Sequence, residues 1–170
     1  DTGRAYLFYN DGSIPTTAAT ADVIIQGETT SNLFGASLSS GDFNADGKTD
    51  LVVGAYGYAS YSGRVYIFYN GSIVTENASG ADVFINGTGD YFGYTLVSGD
   101  VNSDGRTDLI VGPLYYDWAR GRVYVFYNDG SIPTTAATAD VIITGEVQTS
   151  YFGTAITVGD FNTDGKIDLA

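Results

Sequence analysis

Apolar residues in this chain come in short bursts separated by polar, glycine-rich stretches, and the bursts predict strands. Within one stretch four can be read. The first lies near Gly35–Gly41 and leads into an acidic loop. The second, Asp50–Ala55, is nearly all apolar and is expected to be buried on both faces. The third, Arg64–Tyr69, is dense in β-branched and aromatic residues. The fourth, near Asp82–Asn86, follows a polar linker at Ser72–Ala81. Turn formers at Asn10-Asp11-Gly12, Asn70-Gly71 and Asn128-Asp129-Gly130 close the third strand of each set. No segment sustains a period of 3.6 residues, so the chain reads as all-β.

The pattern repeats. Gly3-Arg4-Ala5-Tyr6-Leu7-Phe8-Tyr9-Asn10 returns at Gly63–Asn70 and at Gly121–Asn128, and Tyr9 through Ile25 is identical to Tyr127 through Ile143. A second marker keeps the same rhythm. The sequence D-x-N-x-D-G-x-x-D begins at Asp42, Asp100 and Asp160, 58 and 60 residues apart. Four strands at this period predict four-stranded antiparallel β-propeller blades.

The acidic motif carries the clearest chemistry. Its candidate ligands are Asp42, Asn44, Asp46, Lys48 and Asp50; Asp100, Asn102, Asp104, Arg106 and Asp108; and Asp160, Asn162, Asp164, Lys166 and Asp168. Side-chain oxygens at positions 1, 3, 5 and 9 converge if the backbone turns sharply, and the Gly at position 6 permits that turn. Lys48, Arg106 and Lys166 would offer backbone carbonyls. A ring of hard oxygens in flexible geometry suits Ca²⁺ better than Mg²⁺, so three Ca²⁺ sites are expected. An EF-hand loop would close with Glu at position 12; here Val53 and Val111 stand there, and Asp at position 9 closes the loop. The motif therefore joins two strands rather than two helices. The competing reading is a metal-free hairpin with an Asp-Gly turn. Against it, close carboxylates repel by about 1 kcal/mol per pair at 4 Å even in bulk water.

Composition narrows the function. The net charge of −13 argues against nucleic acid and anionic membrane surfaces. Nine acidic residues belong to the three loops, and three divalent cations would offset about half of the net charge. No run of apolar residues is long enough to insert in a bilayer. The chain has no Cys, His or Met, which removes disulfides, the usual zinc ligands and the usual nucleophile–base pairs. Outside the acidic loops no convincing acid–base pair remains, and the expectation is a protein that is not an enzyme.

Each unit resembles an FG-GAP repeat, the propeller blade of integrin α chains and of many bacterial surface proteins. The residues that carry the resemblance are Phe34-Gly35, Phe92-Gly93 and Phe152-Gly153, then the acidic loop, then Gly54-Ala55-Tyr56 or Gly112-Pro113-Leu114. The last element departs from the family, with Tyr56 in place of Pro and Pro113 in place of Ala. The resemblance covers essentially the whole chain. It implies a propeller, Ca²⁺ in the loop joining the first two strands of a blade, and an adhesive or ligand-binding role.

The repeats divide the chain into a trailing half-blade (1–33), two blades (34–91 and 92–151) and a leading half-blade (152–170). The sequence opens with Asp rather than Met and reads as a processed or partial chain. Further blades of a longer chain would then complete the ring. Alternatively copies self-associate by sharing half-blades, giving a closed dimer, a filament or a surface layer. A third possibility is a non-catalytic propeller appended to an enzyme. An extracellular or cell-surface location suits the calcium expectation.

For a protein or glycan ligand, the candidate contacts are Tyr56, Tyr58 and Tyr61 and their counterparts Tyr115, Tyr116 and Trp118, in the loops after the second strands. The alternative is that these rings cover blade edges. The ladders of Tyr6, Phe8, Tyr66, Phe68, Tyr124 and Phe126, with Tyr9, Tyr69 and Tyr127, could form a carbohydrate platform, but packing between blades is the better reading for the Phe positions. Sequons at Asn70, Asn77 and Asn86 are candidate glycosylation sites.

Overall fold

The computed structural model describes residues 2–170. Two complete meanders form its centre. One joins β3 (Ser37–Gly41), β4 (Asp50–Ala55), β5 (Arg64–Phe68) and β7 (Val83–Asn86), and the other joins β8 (Thr95–Gly99), β9 (Asp108–Gly112), β10 (Arg122–Phe126) and β11 (Val141–Thr144). Both are four-stranded and antiparallel throughout. On one side β1 (Arg4–Leu7) pairs with β2 (Val23–Gln26); on the other β12 (Val158–Gly159) pairs with β13 (Asp168–Leu169). Strands alternate direction because each connection is short.

The third strand ends one residue earlier than its sequence pattern suggests. The Asp82 carboxylate takes the Tyr69 N–H at 2.7 Å, and the same device recurs as Tyr9 to Asp22 at 2.7 Å and Tyr127 to Asp140 at 2.8 Å. A side-chain acceptor replaces the ladder and turns the chain. The polar linker holds a further short strand, β6 (Glu76–Asn77), parallel to β2. It covers the outer edge of the preceding sheet, and the Asn86 N–H to Thr134 carbonyl bond (2.9 Å) does the same one sheet further on. The outer edges of the first two sheets are thus shielded from pairing with strangers, whereas β11 is exposed.

Alternation along β5 sets the core. Tyr66 and Phe68 face one way and pack with Phe34, Ala5, Val23 and Ile25; Val65 and Ile67 face the other way and join Phe92, Tyr124 and Phe126. Phe92 is therefore shared between two blades, with ring centroids 5.4 Å from Tyr124 and 6.2 Å from Phe126, both edge to face. Phe34 meets Tyr66 and Phe68 in the same way at 5.2 and 6.4 Å. Tyr66, Phe68, Tyr124 and Phe126 of the two whole blades are core, Tyr69 and Tyr127 are half-buried, and Tyr9 is 53% exposed.

The strands nearest the centre carry small residues because the blades approach closely there. A Cβ on Gly54 would lie 2.1 Å from the Gly93 carbonyl oxygen. Ser37 Oγ donates to that same oxygen at 2.6 Å, and Thr95 Oγ1 donates to the Thr154 carbonyl at 2.8 Å. Replacing Phe92 with Ala is expected to lower stability by about 3–5 kcal/mol, since a fully buried ring leaves a cavity between two rigid sheets. Phe152→Ala, at a position 40% exposed, should cost markedly less. Urea unfolding of the two variants checks the ranking; equal losses would mean that the ring is not the pivot of the core.

Candidate metal loops and aromatic face

The loop between β3 and β4 is built on its own backbone. The Asp42 carboxylate accepts the N–H groups of Asp46 (3.1 Å) and Gly47 (2.9 Å), Asn44 Oδ1 accepts Asp46 N–H (3.0 Å), and Asp46 Oδ1 accepts Lys48 N–H (2.9 Å). Ala45 at φ 59° and Gly47 at φ 80° make this possible, and Gly has no Cβ to resist it. The same bonds recur between β8 and β9 at 2.8–3.0 Å, and between β12 and β13 at 2.9–3.1 Å. Three loops of different sequence thus adopt one shape.

The closing aspartate behaves differently from the others. Asp50 and Asp108 are buried, while the residues at positions 3, 5 and 7 are exposed. Asp108 accepts N–H bonds from Val101 (3.0 Å), Asn102 (3.3 Å) and, on its other oxygen, Asn128 (2.9 Å). Asp50 binds Phe43 and Asn70 N–H groups likewise, at 2.8 and 2.9 Å. The closing residue therefore staples the loop to the turn after the third strand. Burial pushes the Asp108 carboxyl above its ordinary range, against the three N–H bonds that pull it down. Among the described residues no three acidic groups come together as a ready metal cluster. The donors nonetheless suit a hard cation: a carboxylate has about four lone-pair sites, so an oxygen that accepts one N–H can still serve a metal.

The connections after β4 and β9 lie at the opposite end of those strands. Each contains three successive non-glycine residues in the left-handed region: Ala59, Ser60 and Tyr61 (φ 48°, 57° and 67°), and Asp117, Trp118 and Ala119 (φ 44°, 57° and 60°). Such backbone costs about 1–2 kcal/mol per residue. Neighbouring chain holds it in place, through Tyr91 N–H to the Tyr61 carbonyl (3.0 Å) and Tyr151 N–H to the Ala119 carbonyl (2.8 Å).

These turns sort the candidate contact residues into three groups. Tyr56, Tyr61 and Tyr115 converge on Tyr91, at centroid distances of 6.2, 4.7 and 6.3 Å. Tyr91 follows a Gly-Asp pair and carries no pattern that marks it as a hub. Tyr58 and Tyr116 instead lie under arginines, Arg64 at 3.7 Å and Arg122 at 3.4 Å from the ring centroids. Trp118 stands free, 72% exposed. Arg64 also donates to Glu28 at 3.0 Å and to Asn86 Oδ1 at 2.8 Å, and Tyr66 donates its hydroxyl to Glu28 at 2.8 Å. Burial raises the Tyr66 phenol well above its ordinary value, and the Glu28 carboxylate adds to that shift. Asn70, Asn77 and Asn86 are exposed, with amide groups that bond to Thr49, to Gly27 and Ser79, and to Arg64 respectively.

Four-stranded antiparallel sheets packed face to face, each with its acidic loop at the same end, define the chain as blades of a β-propeller. The model of the FG-GAP repeat matches residues 34–68, and that of the FG-GAP-like repeat matches residues 100–170. The chain is built of FG-GAP repeats and is related to integrin alpha chains and to a phospholipase D. Phosphatidylinositol-glycan-specific phospholipase D of Mus musculus is 35% identical over 168 residues, covering 89% of this chain and 20% of that protein. Integrin alpha-PS2 of Drosophila melanogaster is 32% identical over 145 residues, covering 80% and 10% respectively. Human integrin alpha-11 is 32% identical over 189 residues, covering 99% and 15%. The chain thus spans a fifth or less of the length of these relatives.

Asp108→Ala is expected to destabilise the protein by several kcal/mol in the presence of EDTA, because it orphans three N–H groups at about 1–3 kcal/mol each. Denaturant melts without metal test this; an unaltered midpoint would show that Asp108 does not staple the loop.

Proposed function

We propose that this chain is a calcium-stiffened, extracellular propeller module that binds a protein or glycan ligand and is itself non-catalytic. The observation that carries the reading is the division of labour between its two ends. One end repeats the same oxygen-rich loop three times. The other displays strained turns that present Trp118 and the Tyr61–Tyr91–Tyr115 cluster. Exposed large rings on backbone that resists its own conformation are characteristic of contact surfaces.

Calcium acts through stability in this reading. At a concentration a hundredfold above Kd each site adds about 2.7 kcal/mol, which suits extracellular rather than cytosolic calcium. Asp46, Asp104 and Asp164 are exposed and accept bonds only from their own loops, which supports reading them as metal ligands. Asp46→Ala, Asp104→Ala and Asp164→Ala are each expected to lower Tm in millimolar calcium and to leave it unchanged in EDTA. Equal melting of variant and parent in calcium would overturn the metal assignment. Trp118→Ala should weaken capture of an extracellular ligand without changing Tm; unaltered capture would overturn the assignment of this face. Glycans at Asn70, Asn77 or Asn86, where attached, would project from the middle blade.

A second reading, self-association through half-blades, is favoured by one specific pattern. In the whole blades Phe34 and Phe92 are covered by a Tyr-x-Phe strand, and Asp50 and Asp108 receive the N–H of Asn70 and Asn128. Phe152 remains 40% exposed beside a cavity of about 450 Å³ lined by Glu146, Val147 and Ser150. The segment Arg4–Asn10 carries the complementary Arg, Tyr, Phe and Asn. Light scattering in calcium distinguishes the two: a dimer or polymer supports sharing between copies, and a monomer leaves the seat to further repeats of the same chain. In the phospholipase relatives the matched stretch is one fifth of the protein, which also suits a propeller appended to an enzyme.

A further inference from the structure

The two arginines that open the third strands occupy equivalent places and have unlike surroundings. Arg64 is fully matched: Nη1 donates to Glu28 at 3.0 Å, Nε donates to Asn86 Oδ1 at 2.8 Å, and Tyr58 covers one face of the guanidinium. The Tyr66 hydroxyl shares the Glu28 oxygen at 2.8 Å. Arg122 keeps the aromatic partner, with Tyr116 at 3.4 Å, but has lost both acceptors. Thr144 stands opposite it in the sheet, where Asn86 stands opposite Arg64. Thr88 follows Gly87 where Glu28 follows Gly27, and the two glycines make the same bond, to Gly63 and Gly3 respectively.

The consequence is a guanidinium without a hydrogen-bond acceptor among the described residues. Among the described residues Arg122 Nε is buried with no partner, and no carboxylate lies within 4.0 Å of the group. Asp90 is the acidic residue that feels its charge, from beyond ion-pair distance. Both threonines are exposed and Arg122 as a residue is half-buried, so part of its side chain, though not Nε, reaches solvent. A planar donor fork held against an aromatic ring is pre-ordered for a carboxylate, and an unanswered guanidinium favours one that arrives from outside.

We propose that Arg122, with Tyr124 beside it, is an anchor for an external carboxylate that takes the place Glu28 takes on Arg64 and Tyr66. The template inside the molecule is a glutamate side chain, so the partner is an acidic side chain of a protein ligand. The proposal rests on the reading of this face as the binding face and specifies its chemistry. The net charge of −13 repels acidic partners at long range, but at physiological ionic strength that field is screened beyond about 8 Å, and the local cation decides.

The test follows the Arg122 Nε–H signal by NMR in millimolar calcium and physiological salt. A capped peptide with one glutamate is titrated against its glutamine twin. A saturable shift with the glutamate peptide alone is expected; calorimetric titration of the same peptide should give a Kd about tenfold or more weaker in Arg122→Gln, which lacks the Nε–H signal, as a charge-assisted bond is lost. Glu28→Thr, which frees Nη1 of Arg64 while Asn86 still holds Nε, should add a second responsive guanidinium signal at Arg64. No shift at Arg122, an equal shift with the glutamine peptide, or full binding by Arg122→Gln would overturn the proposal. A shift with glucuronate but not with the peptide would overturn the protein-ligand assignment. Failure here combined with ligand capture lost in Trp118→Ala removes only the anchor; capture unaffected in Trp118→Ala removes the binding face itself.

Discussion

The fold depends on a phenylalanine that belongs to two sheets at once. Phe92 is contributed by the entrance to one blade, yet it packs between Tyr124 and Phe126 of that blade and Val65 and Ile67 of its neighbour. Such a ring can be shared only if the backbones beside it come close. Gly63 meets this need: it sits at φ 80° against the Phe92 backbone, where any side chain would collide with the carbonyl. The Phe-Gly of one repeat and the Gly-Arg of the preceding one are two halves of a single joint. The acidic loops and aromatic turns hang from opposite ends of the strands that this joint aligns.

Polar groups then fix what apolar packing leaves free. The aspartates after the linkers end the third strands by taking the N–H of Tyr9, Tyr69 and Tyr127. Asp50 and Asp108 connect each acidic loop to the turn beyond. Asn128 reaches across to the Phe43 carbonyl at 3.0 Å and ties the loop of one blade to the next. A metal held by the exposed members of a loop would therefore act on backbone already coupled to the blade interface. Stiffening would spread beyond the loop itself.

Much of this was legible in the sequence because the period is strong and its markers are chemically extreme. Strand order, blade length and the common shape of the acidic loops follow from alternation, from Gly at the sixth position and from repetition. The burial of Asp50 and Asp108 did not, since spacing marks all loop oxygens alike and only tertiary contact shows which face inward. Tyr58 and Tyr116 read as contact residues because they sit among exposed rings, yet each lies beneath an arginine. Tyr91 was missed for the converse reason: its partners Tyr56, Tyr61 and Tyr115 are distant in sequence. The short strand β6 escaped because two polar residues carry no pattern.

The identity of Tyr9–Ile25 with Tyr127–Ile143 has a consequence for how the molecule reaches this structure. Ile25 is fully buried, whereas its twin Ile143 is 37% exposed, so one sequence occupies two unequal seats. The strand before each copy is alike as well: β1 and the residue after it repeat the Arg, Tyr and Phe of β10, the strand with which β9 pairs. Side-chain chemistry alone discriminates weakly between them; connectivity does the rest, because β10 follows β9 through a short turn and pays little loop entropy. Order of synthesis reinforces that choice only after the second copy has emerged, and until then the first copy is a rival for its place. A nascent chain of this kind folds against a decoy that it carries itself.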